Sequence, residues 1–184
     1  MHISSYNLME YFVKKYLLQN SIVLDFGGSN SYHSYKTIMD NHNSIYKTLD
    51  WDDADYVVKG YDWSSVPKKY FDAVISGQAF EHDLYFWKTT ENIKNVIKKE
   101  GLVIIIVPTK GDYHQYPIDC YRFYPDSALV FADILNADII EVIWNNILAT
   151  TALRKYGVEN TSILFTHQFD TDWGDLGMVF KINK

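Results

Sequence analysis

The stretch Ser21-Ile22-Val23-Leu24-Asp25-Phe26-Gly27-Gly28 decides the fold. A short continuous apolar run that ends in two glycines reads as a strand buried on both faces, entering a tight turn. Two more runs have the same character: Tyr70 to Ser76 (YFDAVIS) and Leu102 to Val107, the latter closed by Pro108. Between such runs the apolar spacing turns helical. Residues 5–19 place Leu8, Tyr11, Phe12, Lys15 and Leu18 near one helix face, with Ser4 or Ser5 as the cap. Residues 33–40 read as a short helix and residues 84–99 as a longer one, which Gly101 stops. Pro125 opens a helix that runs to Leu135. Further strands are expected at residues 44–49, 55–58, 137–144 and 177–182.

Buried strands alternating with helices imply an α/β fold with a doubly wound, mostly parallel sheet. Ligands of such sheets bind beyond the carboxyl ends of the strands, where strand order reverses. Chemistry is therefore expected at residues 26–31, 50–52, 60–63, 76–82 and 108–122.

The chain has 184 residues, so a single domain over residues 1–184 is expected. Hydrophobic residues make up 47 % and charged residues 22 %, which excludes a disordered or collagen-like chain. Tyr 15, Phe 10 and Trp 5 are an unusually high aromatic content, part of which is expected to line a pocket. With 17 basic against 23 acidic residues, the net charge of −6 gives no attraction to phosphates, so no nucleic-acid partner is expected. The one cysteine, Cys120, makes neither an internal disulfide nor a Cys-rich metal site, which suits a cytoplasmic setting. No apolar run approaches the roughly 18 residues of a membrane span. No metal-ligand spacing stands out, and oligomeric state is not legible.

The glycine turn is not the G-x-G-x-x-G fingerprint of dinucleotide enzymes, and Asp25 within it would repel a pyrophosphate. It reads either as an ordinary strand-to-loop turn or as a turn receiving a ligand with an ammonium group. Asp50, at the end of the second strand, is placed to accept hydrogen bonds from a ribose diol. The alternative is a solvated acidic loop with Asp52, Asp53 and Asp55. Gly60-Tyr61-Asp62-Trp63 pairs a carboxylate with a ring, a combination that reads adenine, or else forms a surface loop around a half-buried tryptophan.

These features, followed by Ser76-Gly77-Gln78-Ala79-Phe80-Glu81-His82 and by His114-Gln115-Tyr116-Pro117-Ile118-Asp119-Cys120-Tyr121-Arg122-Phe123-Tyr124-Pro125-Asp126, resemble the class I S-adenosylmethionine-dependent methyltransferases. They are similar in particular to small bacterial methyltransferase-domain proteins with SGQxFEH and HxYPxDxxRFYPD segments. The resemblance runs from about Ile22 to Trp144. It implies a seven-stranded Rossmann-like sheet whose last strand is antiparallel, and S-adenosylmethionine as cofactor. Asp25, Gly27, Gly28, Asp50, Asp62, Trp63, Ser76 and Phe80 are then its binding residues, with Asp25 answering the amino group and Phe80 facing the sulfonium. The turn departs from the family in having two glycines rather than three.

Methyl transfer to a hydroxyl benefits from a general base, and histidine is suited to that near neutral pH. His82 and His114 fall in the expected site loops. Asp119 would orient His114 or bind an acceptor hydroxyl, and Arg122 would bind an acceptor carboxylate or phosphate. Tyr116 and Tyr121, with Tyr113, Phe123 and Tyr124, would form a platform for a sugar. The alternatives are that Glu81-His82 caps the following helix and that Asp119 and Arg122 pair as a structural clasp. His2, His33, His42 and His167 are expected to be ordinary surface or core residues. Relatives of this kind suggest polysaccharide biosynthesis, and so O-methylation of a sugar or glycan intermediate. Methylation of a small-molecule nitrogen or carboxylate, and a non-catalytic methyltransferase-like binding subunit, are the other readings.

Overall fold

In a computed structural model, residues 3–31, 35–144 and 173–184 are described. Helix α1 (Ile3–Tyr16) leads into strand β1 (Ile22–Phe26), then helix α2 (Lys36–Asn41), strand β2 (Ile45–Asp50) and the two-residue strand β3 (Tyr56–Val57). Strand β4 (Phe71–Gly77) is followed by a single 3-10 turn (Phe80–His82) and helix α3 (Phe86–Val96). Strand β5 (Ile97–Lys110), helix α4 (Ser127–Leu135) and strands β6 (Ala137–Trp144) and β7 (Gly174–Ile182) complete the order.

The seven strands form one sheet in the order β3-β2-β1-β4-β5-β7-β6. The pairs β1–β2, β1–β4, β2–β3 and β4–β5 are parallel. The last strand, β7, is antiparallel to both of its neighbours, β5 and β6. This is the doubly wound α/β sheet expected from the sequence, and strand order reverses between β1 and β4.

Alternation within the apolar runs divides the core into two layers. Val23, Ala73, Ile75, Ile104, Ile106 and Val179 pack against Leu8, Met9, Phe12 and Val13 of α1 and Ile38 and Met39 of α2. Their chain neighbours Leu24, Val74, Val103, Ile105 and Phe180 point the other way, toward Ile93 and Val96 of α3 and Phe131 and Leu135 of α4. Burial on both faces is why these strands are apolar without alternation. No helix among the described residues is long and apolar enough to cross a membrane.

Several boundaries differ from expectation. Helix α3 ends at Val96, because Ile97 already pairs with Phe71 of β4. Gly101 is therefore no helix cap; Glu100 holds the left-handed backbone, at φ 58°. Strand β5 also runs through Pro108. Parallel pairing with β4 stops at Gly77↔Ile106, so the missing Pro108 N–H removes no bond on that side. On the other side Pro108 pairs with Asp175, and β7 begins at Gly174. Helix α1 stops at Tyr16, leaving Leu18 exposed, and neither serine caps it. Ser5 lies inside the helix and shares a 2.9 Å hydrogen bond with the Tyr35 hydroxyl, while Ser4 donates to Asp175. Pro125 lies in the turn before α4, with the Ala128 N–H donating to its carbonyl at 3.0 Å.

Candidate functional site

The carboxyl ends of β1, β2, β4 and β5 gather the expected segments on one rim. Two backbone clasps join the loops after β1 and β2: Gly27 N–H donates to Leu49 O at 2.9 Å, and Asn30 N–H donates to Asp53 O at 2.6 Å. Gly27 has φ 83°, and a Cβ there would lie 2.5 Å from Ala79 Cβ, just past β4. A Cβ on Gly28 would lie 2.5 Å from Asp25 Oδ2. Both glycines are thus demanded by close approach, and the backbone of this turn is left bare above a carboxylate.

That carboxylate, Asp25, is 2 % exposed. The Tyr46 hydroxyl donates to its Oδ2, and no basic side chain among the described residues pairs with it. Burial pushes its carboxyl up to about 7, against the lowering effect of the Tyr46 bond. The ionised form therefore lacks a counter-cation. Asp50, at the end of β2, is half-buried, and its Oδ1 accepts the Trp51 N–H at 2.6 Å. Burial raises its carboxyl as well. Trp51 itself is about half exposed and was not singled out from sequence. Its signal was adjacency to Asp50.

Beyond β3, Asp62 is exposed and folds onto its own turn, accepting the Ser64 N–H at 3.0 Å; hydrogen bonding from the Ser64 side chain and then its backbone lowers the carboxyl. Trp63 is buried rather than half-buried, with its ring 5.8 Å from that of Phe26. On β4, the Ser76 Oγ is buried and has no hydrogen-bond partner. Phe80 is fully buried between Phe26 and Phe131, at 5.2 Å from each. It forms the floor under the glycine turn rather than a face on its surface.

The second half of the rim follows β4 and β5. Its 3-10 turn carries Glu81, wholly buried, with both carboxylate oxygens unpartnered. Burial pushes this carboxyl up to about 8. The expectation that Glu81-His82 caps the next helix is not met. No side chain caps that helix; Asp83 holds the approach to it, its Oδ1 accepting the Tyr85 N–H at 3.1 Å and the Tyr61 hydroxyl at 2.7 Å. His82 donates from Nδ1 to the Ile118 carbonyl, and burial lowers its imidazole below the usual range. His114 donates from Nδ1 to the Asp112 carbonyl at 3.1 Å. The two imidazoles meet edge to face, with centroids 4.9 Å apart, and Trp173 stands 5.2 Å from His114 on its other side. Trp173 was not singled out from sequence, being nearly sixty residues from His114. One ligand atom each from Glu81, His82 and His114 lies within 4.8 Å of the others, a grouping the sequence reading did not find.

Asp119 and Arg122 form the clasp. Arg122 Nη1 donates to Asp119 Oδ1 at 2.6 Å and Nη2 donates to Oδ2 at 2.8 Å. The same two nitrogens donate to the carbonyls of Tyr121 and Asp112. Arg122 therefore has no free fork for an acceptor anion. Its hydrogen bonds hold the Asp119 carboxyl down at about 2. Asp119 accepts the backbone N–H of His114 at 2.8 Å, so it positions the loop rather than the imidazole proton. Tyr121 is likewise committed: its hydroxyl donates to Leu84 O at 2.8 Å, and its ring packs on Phe86. Tyr116, Tyr113 and Tyr124 are the exposed rings of this region. His42 bonds Leu17 O at 2.8 Å, away from the rim, while His2, His33 and His167 lie outside the described residues.

The architecture is similar to that of solved methyltransferases. A methyltransferase solved in complex with the Haloferax volcanii Trm112 activator has TM-score 0.67 at 16 % identity, over 98 % of this chain and 91 % of that one. A SAM-dependent methyltransferase from Archaeoglobus fulgidus has TM-score 0.63 at 14 % identity, over 96 % and 94 %. The Burkholderia thailandensis 1,6-didemethyltoxoflavin N1-methyltransferase, solved with 1,6-didemethyltoxoflavin and S-adenosylhomocysteine, has TM-score 0.67 at 10 % identity, over 98 % and 80 %. No protein-family model matches the chain, and no curated protein matches it. At these identities the likeness establishes the fold, which is that of the class I methyltransferases.

Proposed function

We propose that the chain is an S-adenosylmethionine-dependent methyltransferase that O-methylates a sugar or glycan intermediate. The observation that carries the reading is the bare glycine turn over Asp25, a buried carboxylate with no counter-cation among the described residues, on a sheet with methyltransferase strand order. An ammonium group at that turn would relieve the cost of ionising Asp25. Asp50 would accept the ribose hydroxyls and the unpartnered Ser76 Oγ would hydrogen-bond the ligand, while Phe26, Trp63 and Phe80 give the turn an apolar floor. Asp62, exposed on its turn, would offer its carboxylate to an exocyclic amine. When bound, the cofactor supplies an electrophilic methyl group and leaves as a neutral thioether.

The chain must then orient an acceptor and take its proton. A hydroxyl oxygen bonds the methyl carbon as its O–H bond breaks, and that proton needs an acceptor. His82 and His114 each commit Nδ1 to a backbone carbonyl, so the neutral rings carry a lone pair on Nε2. Either imidazole can receive the proton. Exposed Tyr113 and Tyr116 offer faces for a pyranose. The Asp119–Arg122 clasp keeps the loop bearing His114 in place.

Calorimetric titration with S-adenosylhomocysteine tests the cofactor: micromolar binding is expected, and none at millimolar concentration would remove the reading. Incubation with labelled cofactor and candidate glycans, followed by product mass and linkage, tests the acceptor. Undiminished turnover in both His82→Ala and His114→Ala would redirect it toward a nitrogen or carboxylate acceptor, the former being the chemistry named for the Burkholderia thailandensis neighbour. A second reading, a methyltransferase-like subunit that works within a protein complex, draws support from the neighbour solved with the Trm112 activator.

A further inference from the structure

Glu81, His82 and His114 are brought together by the fold, from two loops thirty-odd residues apart, and each is held as if for a ligand. Glu81 is 0 % exposed, and neither carboxylate oxygen has a hydrogen-bond partner. The His82 Nε2 lies 3.8 Å from its Oε1. Ionising a wholly buried, unbonded carboxylate is costly unless a cation completes its surroundings. Arg122 does not: its fork is turned to Asp119. Both histidines donate Nδ1–H to backbone carbonyls, those of Ile118 and Asp112. That is the outer hydrogen bonding by which metal-bound imidazoles are oriented, with Nε2 presented to the ion.

We propose that Glu81, His82 and His114 bind one divalent transition cation of the zinc class, leaving at least one coordination position open toward the rim. Two imidazoles and one carboxylate suit zinc, cobalt or nickel; magnesium and calcium call for oxygen-rich sets. The three donors lie within 4.8 Å of one another. Around an ion with bonds of about 2.0–2.2 Å, tetrahedral donors stand roughly 3.4 Å apart, so the widest separation in the set closes by up to about 1.4 Å. The closure would have to come from a small shift of the loop bearing His114, the more exposed of the two imidazoles at 39 %, with its Nδ1 bond to Asp112 kept. The Asp119–Arg122 clasp holds that loop together.

Ion binding does not depend on the proposed function; its catalytic use does. There, an acceptor hydroxyl bound at the open position would lose its proton to solvent near neutral pH, with the imidazoles serving as ligands instead of bases.

The test is a titration of the chelator-stripped chain with Co²⁺, followed by its absorption spectrum, and with Zn²⁺ by calorimetry. One equivalent of tight binding is expected. Glu81→Gln and His114→Gln should each weaken it by more than the roughly 10–100-fold that loss of an outer hydrogen-bond partner costs. Circular dichroism melts of both variants establish that they fold; His114→Gln, at the more exposed position, carries the test if Glu81→Gln does not. No stoichiometric binding, or binding unchanged in the folded variants, overturns the proposal. S-adenosylhomocysteine is titrated into the same samples. Co²⁺ bound without it leaves the ion site standing and removes the methyl-transfer reading; the reverse outcome overturns the ion site alone.

Discussion

Asp25 and Asp119 are two carboxylates on one rim, each with its side chain nearly covered, and the fold treats them in opposite ways. Asp119 receives both forks of Arg122 and a backbone N–H, and its carboxyl falls to about 2. Among the described residues Asp25 receives only a phenol hydroxyl, and burial raises its carboxyl to about 7. Asp119 completes a structural lock within the chain. Asp25 finds no counter-charge among the described residues. An aspartate in a rim segment says little by itself; whether the chain supplies its counter-charge separates scaffold from site.

The largest expected effect breaks that comparison directly. In the unfolded chain Asp25 ionises near 4, and in the folded chain near 7. Below about pH 4 both states are protonated and there is no penalty. As pH rises from about 4 to 7 the unfolded state releases the proton first, so stability falls, and above 7 the loss is complete. Asp25→Asn, whose Oδ1 can still accept from Tyr46, should match the wild type near pH 4 and exceed it by about 3–4 kcal/mol at pH 8. Urea unfolding across that range checks it; parallel pH profiles would mean Asp25 has its counter-charge after all.

Arg122→Ala works in the other direction. It leaves Asp119 buried without its cation and should cost about 2–3 kcal/mol at pH 7, measured by the same unfolding curves. An unchanged midpoint would show that the clasp is decoration. Asp50→Ala should weaken S-adenosylhomocysteine binding by about 2 kcal/mol in calorimetry while the melting temperature stays put. Smallest is Tyr46→Phe, expected to cost roughly 1 kcal/mol of stability by removing the single donor to Asp25. A larger loss would mean that the phenol, not an external ligand, is the partner Asp25 is built for.

The sheet was legible because its strands are buried on both faces and so read as apolar runs, and because glycines or proline punctuate them. Strand ends were less legible where pairing, not local pattern, sets them. Ile97 joins β5 because Phe71 lies beside it, and Pro108 stays in β5 because β4 has already ended. In the site, residue types at strand ends located the rim, but side-chain roles depended on partners distant in sequence. Nothing local tells that Arg122 is consumed by Asp119, that Tyr121 is tied to Leu84, or that Phe80 faces inward. The same holds for Glu81, which reads as a helix-cap residue until its two carboxylate oxygens are seen to be buried without hydrogen-bond partners.

Strand β7 comes last in chain order yet sits between β5 and β6. While a ribosome is still making it, β5 has no neighbour on that side, and Ile104, Ile105, Ile106 and Val107 present an uncharged ribbon of open hydrogen-bonding groups. Such a ribbon pairs readily with other chains. Nascent molecules therefore depend on rapid insertion of residues 174–182, or on a holding chaperone until they emerge, and truncation before Gly174 should yield inclusion bodies rather than a smaller soluble protein.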